Sequence, residues 1–167
     1  VGCQVKPAGG WRYPGNPVDS VPADTDLSNT QYALLALDVA ARCGIEPPVE
    51  TWRLAADHVL REQEAEGVEV PVWIENEAWK PEEEGQPGKE GVPRFLEAAK
   101  ARARGWCYLP GQSGLPCGSM TCAGVTCLAI VKEWLWLKKA LPNELRQRLD
   151  GGMLDGLAWL SEHFTVE

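Results

Sequence analysis

The sequence predicts an all-α domain made of two helical hairpins with an irregular connection inserted between them. Four segments have the three-to-four-residue apolar spacing of helices. They alternate between segments that are apolar all round and segments that are apolar on one side. Short signatures also recur in the same order in both halves, which is typical of an internal repeat. We divide the single domain, residues 1–167, into repeat 1 (about 10–64), an insertion (about 65–104) and repeat 2 (about 105–167).

The composition is that of a folded, acidic domain. The 167 residues include 16 Lys or Arg and 24 Asp or Glu, which gives a formal net charge of −8. We expect no nucleic-acid partner, because no surplus of cations is available to neutralise phosphates. The longest apolar stretch, residues 120–131, is shorter than the roughly 20 residues that span a bilayer. We therefore expect a soluble chain with no transmembrane segment. Because it begins with Val1, we also expect excision from a longer polypeptide.

The first helix is predicted to begin near Ser28. A capping box joins Ser28 and Gln31, since each side chain can bond the other residue's backbone N–H. Residues 32–41 follow, and Asp38 is the one polar residue among them. Such a segment is expected to be buried on nearly every side. Gly44 is expected to end it as the residue after the C-cap.

The second helix is predicted to begin after Pro47 and Pro48. Its charged residues lie on the face opposite its apolar residues, so we expect an outer, peripheral helix. The apolar residues with helical spacing are Trp52, Ala55, Ala56, Val59 and Leu60.

The third and fourth helices repeat the pattern of inner and outer segments. Residues 119–137 are apolar all round and are expected to lie inside, whereas the fourth helix begins at Pro142, a favourable first-turn residue. Gly151 and Gly152 weaken its middle and predict a division into two pieces. Its expected apolar stripe is Leu145, Leu149, Met153, Leu157, Leu160 and Phe164.

The insertion combines acidic, strand-like and basic stretches. Residues 68–74 have a strand-like composition, and residues 93–103 are predicted to form a basic helix. A cluster of nine Glu residues between Glu62 and Glu84 is interpreted as a solvated loop, with a metal or cationic-partner site as the alternative.

Three signatures recur in both repeats. In the structural interpretation, the Trp of each Gly-Trp-x-Tyr turn lies flat between hairpins and donates its N–H to a loop carbonyl, while the Gly permits a positive φ. In the functional interpretation, the rings face a hollow and bind an apolar ligand. The pairs of segments are 10–13 with 105–108, 28–30 with 119–121, and 59–63 with 159–163.

These signatures resemble the squalene–hopene cyclase and prenyltransferase superfamily, and in particular bacterial proteins with the prenyltransferase and squalene oxidase repeat. The resemblance implies an α/α toroid of inner and outer helices. Two hairpins form only a partial toroid, and repeat arrays generally need further units or caps to cover their ends. We therefore expect either self-association or packing against further repeats of a longer chain.

The same resemblance implies a candidate acid at the start of the first helix. Cyclases that protonate an isoprenoid alkene carry an Asp-x-Asp-Asp segment there, and this chain has Asp24 and Asp26 followed by Leu27, which departs from the pattern. A second carboxylate nearby helps an acid retain its proton, and aromatic faces stabilise a carbocation. The alternative is a helix cap or a favourable anion at the helix N-terminus. The aromatic candidates for ligand binding are Trp11, Tyr13, Tyr32, Trp106 and Tyr108.

The six cysteines do not have the spacing of a zinc knuckle, and we expect no metal and no cofactor. Cys122 and Cys127 are interpreted as small buried hydrophobes, and the even number of cysteines leaves disulfides open. The leading hypothesis is a non-catalytic binding or assembly module with a cyclase-like fold. The alternative is an isoprenoid cyclase fragment that protonates an alkene through Asp26. An apolar, isoprenoid-like ligand is the expected small-molecule partner.

Overall fold

The computed structural model describes residues 4–6, 8–12, 25–75, 95–108 and 115–163. Four helices pack together beside one two-stranded antiparallel sheet. The prediction of a mostly helical fold is confirmed, whereas the all-α prediction is wrong because the insertion contributes the sheet. In chain order the elements are α1 (Leu27–Arg42), α2 (Val49–Arg61), β1 (Val68–Glu75), β2 (Phe95–Ala103), α3 (Gly118–Leu137) and α4 (Asn143–His163).

Helix α1 is capped by Asp26, whose carboxylate accepts a hydrogen bond from the backbone N–H of Asn29 at 2.6 Å. The predicted capping box of Ser28 and Gln31 is wrong, because Ser28 already lies inside the helix. The predicted end at Gly44 is confirmed, since this glycine follows the C-cap with a φ of +85°.

Helix α3 is the centre of the fold. Helices α1, α2 and α4 all pack against it, whereas α1 and α2 approach each other closely at few points. The inner position predicted for α3 is confirmed, but the two helices of repeat 1 are held together mainly through α3 rather than as an isolated hairpin. The buried residues of α3 are Thr121, Ala123, Gly124, Cys127, Leu128, Val131, Trp134 and Leu135.

Helix α1 is buried on one side and exposed on the other. Tyr32 and Val39 are 69% and 60% exposed, and Leu35 is also at the surface. The prediction that α1 is buried on nearly every side is therefore wrong. The physical reason is that α3 covers one face of α1, while an apolar composition does not by itself supply a second neighbour.

Helix α2 has the amphipathic character that the sequence predicts. Trp52, Ala55, Ala56 and Val59 are fully buried, and Arg53 on the opposite face is exposed. Burial of this face fixes α2 against α3.

Helix α4 is continuous through Gly151 and Gly152, so its predicted division is wrong. Gly152 is required for close packing, since a Cβ there would lie 2.9 Å from Leu60 Cδ2 and 3.0 Å from Leu128 Cδ1. The expected apolar stripe is also partly wrong, because Leu157 is 52% exposed. Phe164, the last residue of that stripe, lies outside the described residues. The residues of α4 that are buried are Leu149, Gly152, Gly156, Ala158 and Trp159.

The insertion forms a strand pair against α4. The strand predicted at residues 68–74 is confirmed as β1, whereas the basic helix predicted at 93–103 is wrong, because most of it forms β2. Ala101 is buried on the α4 side and its neighbour Arg102 is exposed, which is the two-residue alternation of a strand. The carboxylate of Asp155 in α4 accepts a hydrogen bond from the backbone N–H of Arg102 at 2.8 Å and thus fixes the strand in place.

Helix α3 is long and apolar enough to cross a membrane by length and composition, with a mean hydropathy of 1.3 over its best 18-residue window. In the structure, 56% of that window is buried within the protein. The core helix of a water-soluble domain passes the same test of length and composition.

Candidate functional site

The candidate acid Asp26 is a buried helix cap. Its carboxylate oxygens accept hydrogen bonds from the backbone N–H and the side-chain amide of Asn29, and its side chain is surrounded so that the residue is 7% exposed. This is the structural role that the sequence left open beside catalysis. The second candidate, Asp24, lies outside the described residues.

The Gly-Trp signature of repeat 1 forms a hydrogen-bonded corner at the start of α1. The backbone N–H of Trp11 donates to the hydroxyl of Thr30, with N and Oγ1 3.0 Å apart. The carbonyl of Trp11 accepts from the backbone N–H of Asp26 at 3.3 Å. The corner thus attaches the Trp11 backbone to the N-cap and to the first turn of α1.

The signature of repeat 2 forms the same corner at the start of α3. The backbone N–H of Trp106 donates to the hydroxyl of Thr121 at 3.2 Å, and its carbonyl accepts from the N–H of the N-cap, Cys117, at 3.1 Å. Both threonines are the fourth residue of their helix, so α1 and α3 correspond after a shift of 91 positions, from Thr30 to Thr121. The two Gly-Trp segments thus make equivalent hydrogen bonds at the starts of α1 and α3.

The glycines of these corners permit close approach rather than a positive φ. Neither Gly10 nor Gly105 has a positive φ, so that part of the prediction is wrong. A Cβ on Gly105 would lie 2.8 Å from Cβ of Pro116 and 3.0 Å from the ring of Trp159, and one on Gly10 would overlap the ring of His58.

The Trp106 ring joins the two repeats. It is fully buried, and its indole N–H donates to the carbonyl of Val59 in α2 at 2.8 Å. Gly124 of α3 and Gly156 of α4 leave the space it occupies, since a Cβ on Gly156 would lie 2.8 Å from the ring. The structural interpretation is confirmed for Trp106, although the acceptor is a helix carbonyl rather than a loop carbonyl.

A second tryptophan, Trp134 of α3, fills the groove between α1 and α2. Its ring stacks on Trp52 with centroids 5.8 Å apart, and its indole N–H donates to Asp38 at 2.8 Å. The guanidinium of Arg42 lies over the same ring at 5.9 Å. Burial by itself would raise the pKa of Asp38, but hydrogen bonds from Arg42 and Trp134 hold that pKa below its ordinary value. Trp134 is thus a second indole, in addition to that of Trp106, that anchors repeat 2 in repeat 1.

A pocket of about 520 Å³ lies between α3 and α4. Its apolar surface comes from Ala129, Trp136, Leu141 and Met153, and its charged residues are Lys132, Glu133 and Arg146. We call this pocket the α3–α4 groove. The sequence analysis missed it, since its residues come from two helices and the loop between them. The sequence does contain one indication of this pocket. Two of the residues of α3 that line it lie 91 positions after two residues of α1 that line the groove holding Trp134.

The other aromatic candidates do not gather around this pocket. Trp11 is buried in its corner, Tyr32 lies on the exposed side of α1, and Tyr108 is exposed. None of these three, nor Trp106, lines the α3–α4 groove. Tyr13 lies outside the described residues.

His58 is a buried, neutral side chain beside the corner of repeat 1. It is 1% exposed, and burial, with a contribution from the charge of Arg61, lowers its pKa to about 4. Arg61 donates to Nδ1 at 3.2 Å, which assigns the ring proton to Nε2, where it has no partner among the described residues. The other histidine, His163, stacks on Trp159 with centroids 4.2 Å apart.

The cysteines divide by burial. Cys127 is buried as predicted, and burial raises the pKa of its thiol to about 12. Cys122 is exposed, so its predicted burial is wrong, because it lies on a face of α3 that the other helices leave open. Cys43, Cys117, Cys122 and Cys127 are free thiols.

Within the ranges that the structure describes, no three His, Cys, Asp or Glu side chains lie together as metal ligands. Comparison with protein-family models, with curated proteins and with solved structures gives no match. The resemblance to the cyclase and prenyltransferase superfamily therefore remains a hypothesis that stands on the sequence signatures.

Proposed function

We propose that this chain is a non-catalytic helical-repeat module of the cyclase-like toroid type that works by assembly. The single observation that carries this proposal is the duplicated tryptophan corner, because it relates two helical units that stack on each other through a shared core. A stacked array has an uncovered unit face at each end. The exposed apolar side of α1, with Tyr32 and Val39, is one such face, and the α3–α4 groove is the other.

The alternative is an isoprenoid cyclase fragment with Asp26 as its acid. The hydrogen bonds that Asp26 accepts at the helix terminus favour the capping role, as does Leu27 in the place of a further carboxylate. The α3–α4 groove is the site that we assign to an apolar, isoprenoid-like ligand if the chain binds one, since its lining is largely apolar.

Sedimentation velocity over a wide range of concentrations tests assembly. We expect an average mass above the monomer's 18.3 kDa that rises with concentration, and a return to the monomer when Val39→Glu places a charge on the exposed face. A wild-type chain that stays monomeric at every concentration overturns the proposal. Incubation with squalene or geranylgeranyl diphosphate tests the alternative: product from the wild type that is lost in Asp26→Asn would favour the cyclase.

A further inference from the structure

Helix α1 exposes a stripe of residues whose equivalents in α3 belong to the core or pack against it. The face that carries Trp134 is the one that α3 uses to contact α1 and α2. Residues at i, i+4, i+7 and i+11 share one helix face. On α3 the residues of this face are buried or half-buried: Ala123, Cys127, Ile130 and Trp134. The residues 91 positions earlier are all exposed, and we call them the α1 stripe: Tyr32, Ala36, Val39 and Cys43.

The α1 part of the receiving surface is repeated as well. Within the chain, Trp134 lies against Asp38 and Arg42 of α1. The equivalents of these two residues in α3 are Ala129 and Glu133, and both line the open α3–α4 groove. One end of the molecule thus offers the face that docks, and the other end offers the face that receives it.

Charge supports the same pairing. The contact between α1 and α3 is crossed by an ion pair, with Arg42 NH2 3.1 Å from Glu133 Oε1. When a second copy docks in the same way, Glu133 of the receiving groove occupies the position that Arg42 has in the contact within the chain. Arg42 of the incoming α1 occupies the position that Glu133 has in that contact. A second copy docked in the same way therefore brings opposite charges together again, whereas two α1 stripes facing each other would bring together two Arg42 side chains.

We propose that copies of this chain associate head to tail, with the α1 stripe of one copy docked in the α3–α4 groove of the next. The proposal rests on the assembly function proposed above and names its partner as a second copy. Because the two surfaces differ, each added copy leaves one stripe and one groove free, so the association is open-ended rather than closed at a dimer.

Two complementary variants test this arrangement. Val39→Glu blocks the stripe and leaves the groove intact, while Ala129→Glu blocks the groove and leaves the stripe intact; both positions are exposed. Gln147→Glu is the matched control, since it adds the same charge at an exposed site of α4 outside both surfaces. Circular dichroism establishes that each variant is folded, and Ala36→Glu replaces Val39→Glu if that variant unfolds.

We expect each blocked variant to be monomeric alone and Gln147→Glu to behave as the wild type. An equimolar mixture of the two blocked variants should form a species of about twice 18.3 kDa that does not grow further. Two outcomes overturn the head-to-tail arrangement but not the assembly function: the wild type assembles and Ala129→Glu still self-associates, or the wild type assembles and the mixture of blocked variants stays monomeric. A monomeric wild type overturns the assembly function with it.

Cross-linking gives a second measurement of the contact. Within the chain, Trp134 contacts Asp38. In the proposed contact between copies, the equivalent pair is Cys43 of one copy and Ala129 of the next. With Ala129→Cys, a short bismaleimide should join the peptides that contain residues 43 and 129, as detected by mass spectrometry. Loss of this product with Cys43→Ser supports the arrangement, and its complete absence in the assembled Ala129→Cys protein contradicts it.

Discussion

Alanine substitutions at Gly124 and Gly151 separate the packing of the Trp106 ring from helix propensity. Both glycines lie inside helices, so alanine stabilises each helix by a similar amount, about 0.5–1 kcal/mol. A Cβ at Gly151 meets no atom within 4 Å, whereas one at Gly124 would overlap the buried indole of Trp106. Overpacking a core costs about 1–3 kcal/mol. Because the helix contribution cancels, Gly151→Ala should be more stable than Gly124→Ala by about 1–3 kcal/mol.

Urea unfolding followed by far-ultraviolet circular dichroism measures this difference, with equal m-values showing that the same surface is exposed on unfolding in both variants. We expect Gly151→Ala to lie above the wild type in stability. At this chain length each kcal/mol corresponds to roughly 2–4 °C in Tm. If Trp106→Leu is introduced in both variants, the difference should shrink, since the ring that collides is gone. Equal stabilities of the two alanine variants would refute the packing that we assign to Trp106.

Three further predictions concern protonation, capping and thiol reactivity. Burial lowers the pKa of His58 from 6.5 to about 4, so the unfolded chain binds the proton more readily than the folded chain. The free energy of unfolding should therefore fall as pH drops from 6.5 towards 4, by about 3 kcal/mol at most. Urea titrations across this pH range measure the loss, and His58→Gln should flatten it. Asp26→Ala should lower the free energy of unfolding by about 0.5–2 kcal/mol through loss of the cap, whereas Asp26→Ser should retain most of it. In iodoacetamide labelling of the native protein at neutral pH, Cys122 should react and Cys127 should not, since burial raises the pKa of the Cys127 thiol to about 12; labelling of Cys127 at a similar rate would contradict its position in the core.

The parts of the fold that the sequence predicts well are those set by local pattern. Apolar spacing gives the positions of all four helices, and the repeated Gly-Trp segments locate both corners. The features that the sequence does not predict depend on which elements pack against each other. The exposed face of α1 is as apolar as its buried face, so composition cannot tell them apart. Ala101 and Ala103 of β2 have high helix propensity, yet pairing with β1 and burial against α4 override it.

Capping shows the same division between local and long-range information. Both Asp26 and Ser28 are favourable caps by residue type. The choice is made by the corner, because the N–H of Asp26 bonds the carbonyl of Trp11, fifteen positions earlier in the chain. The sequence therefore names Asp26 as one possible cap, but the choice between Asp26 and Ser28 depends on a contact that is distant in sequence.

The correspondence between α1 and α3 also predicts that the two kinds of contact differ in strength. Within the chain, Trp134 contributes a buried indole, and burial of about 200 Å² at about 25 cal/mol per Å² corresponds to about 5 kcal/mol. Its equivalent in the α1 stripe is Cys43, a much smaller side chain. The contact between copies therefore lacks most of this contribution, although it retains the pairing of Arg42 with Glu133. Covalent linkage within one chain also spares the internal contact the entropy cost of association. The internal stack should consequently be permanent, whereas assembly of separate copies should be reversible and governed by concentration.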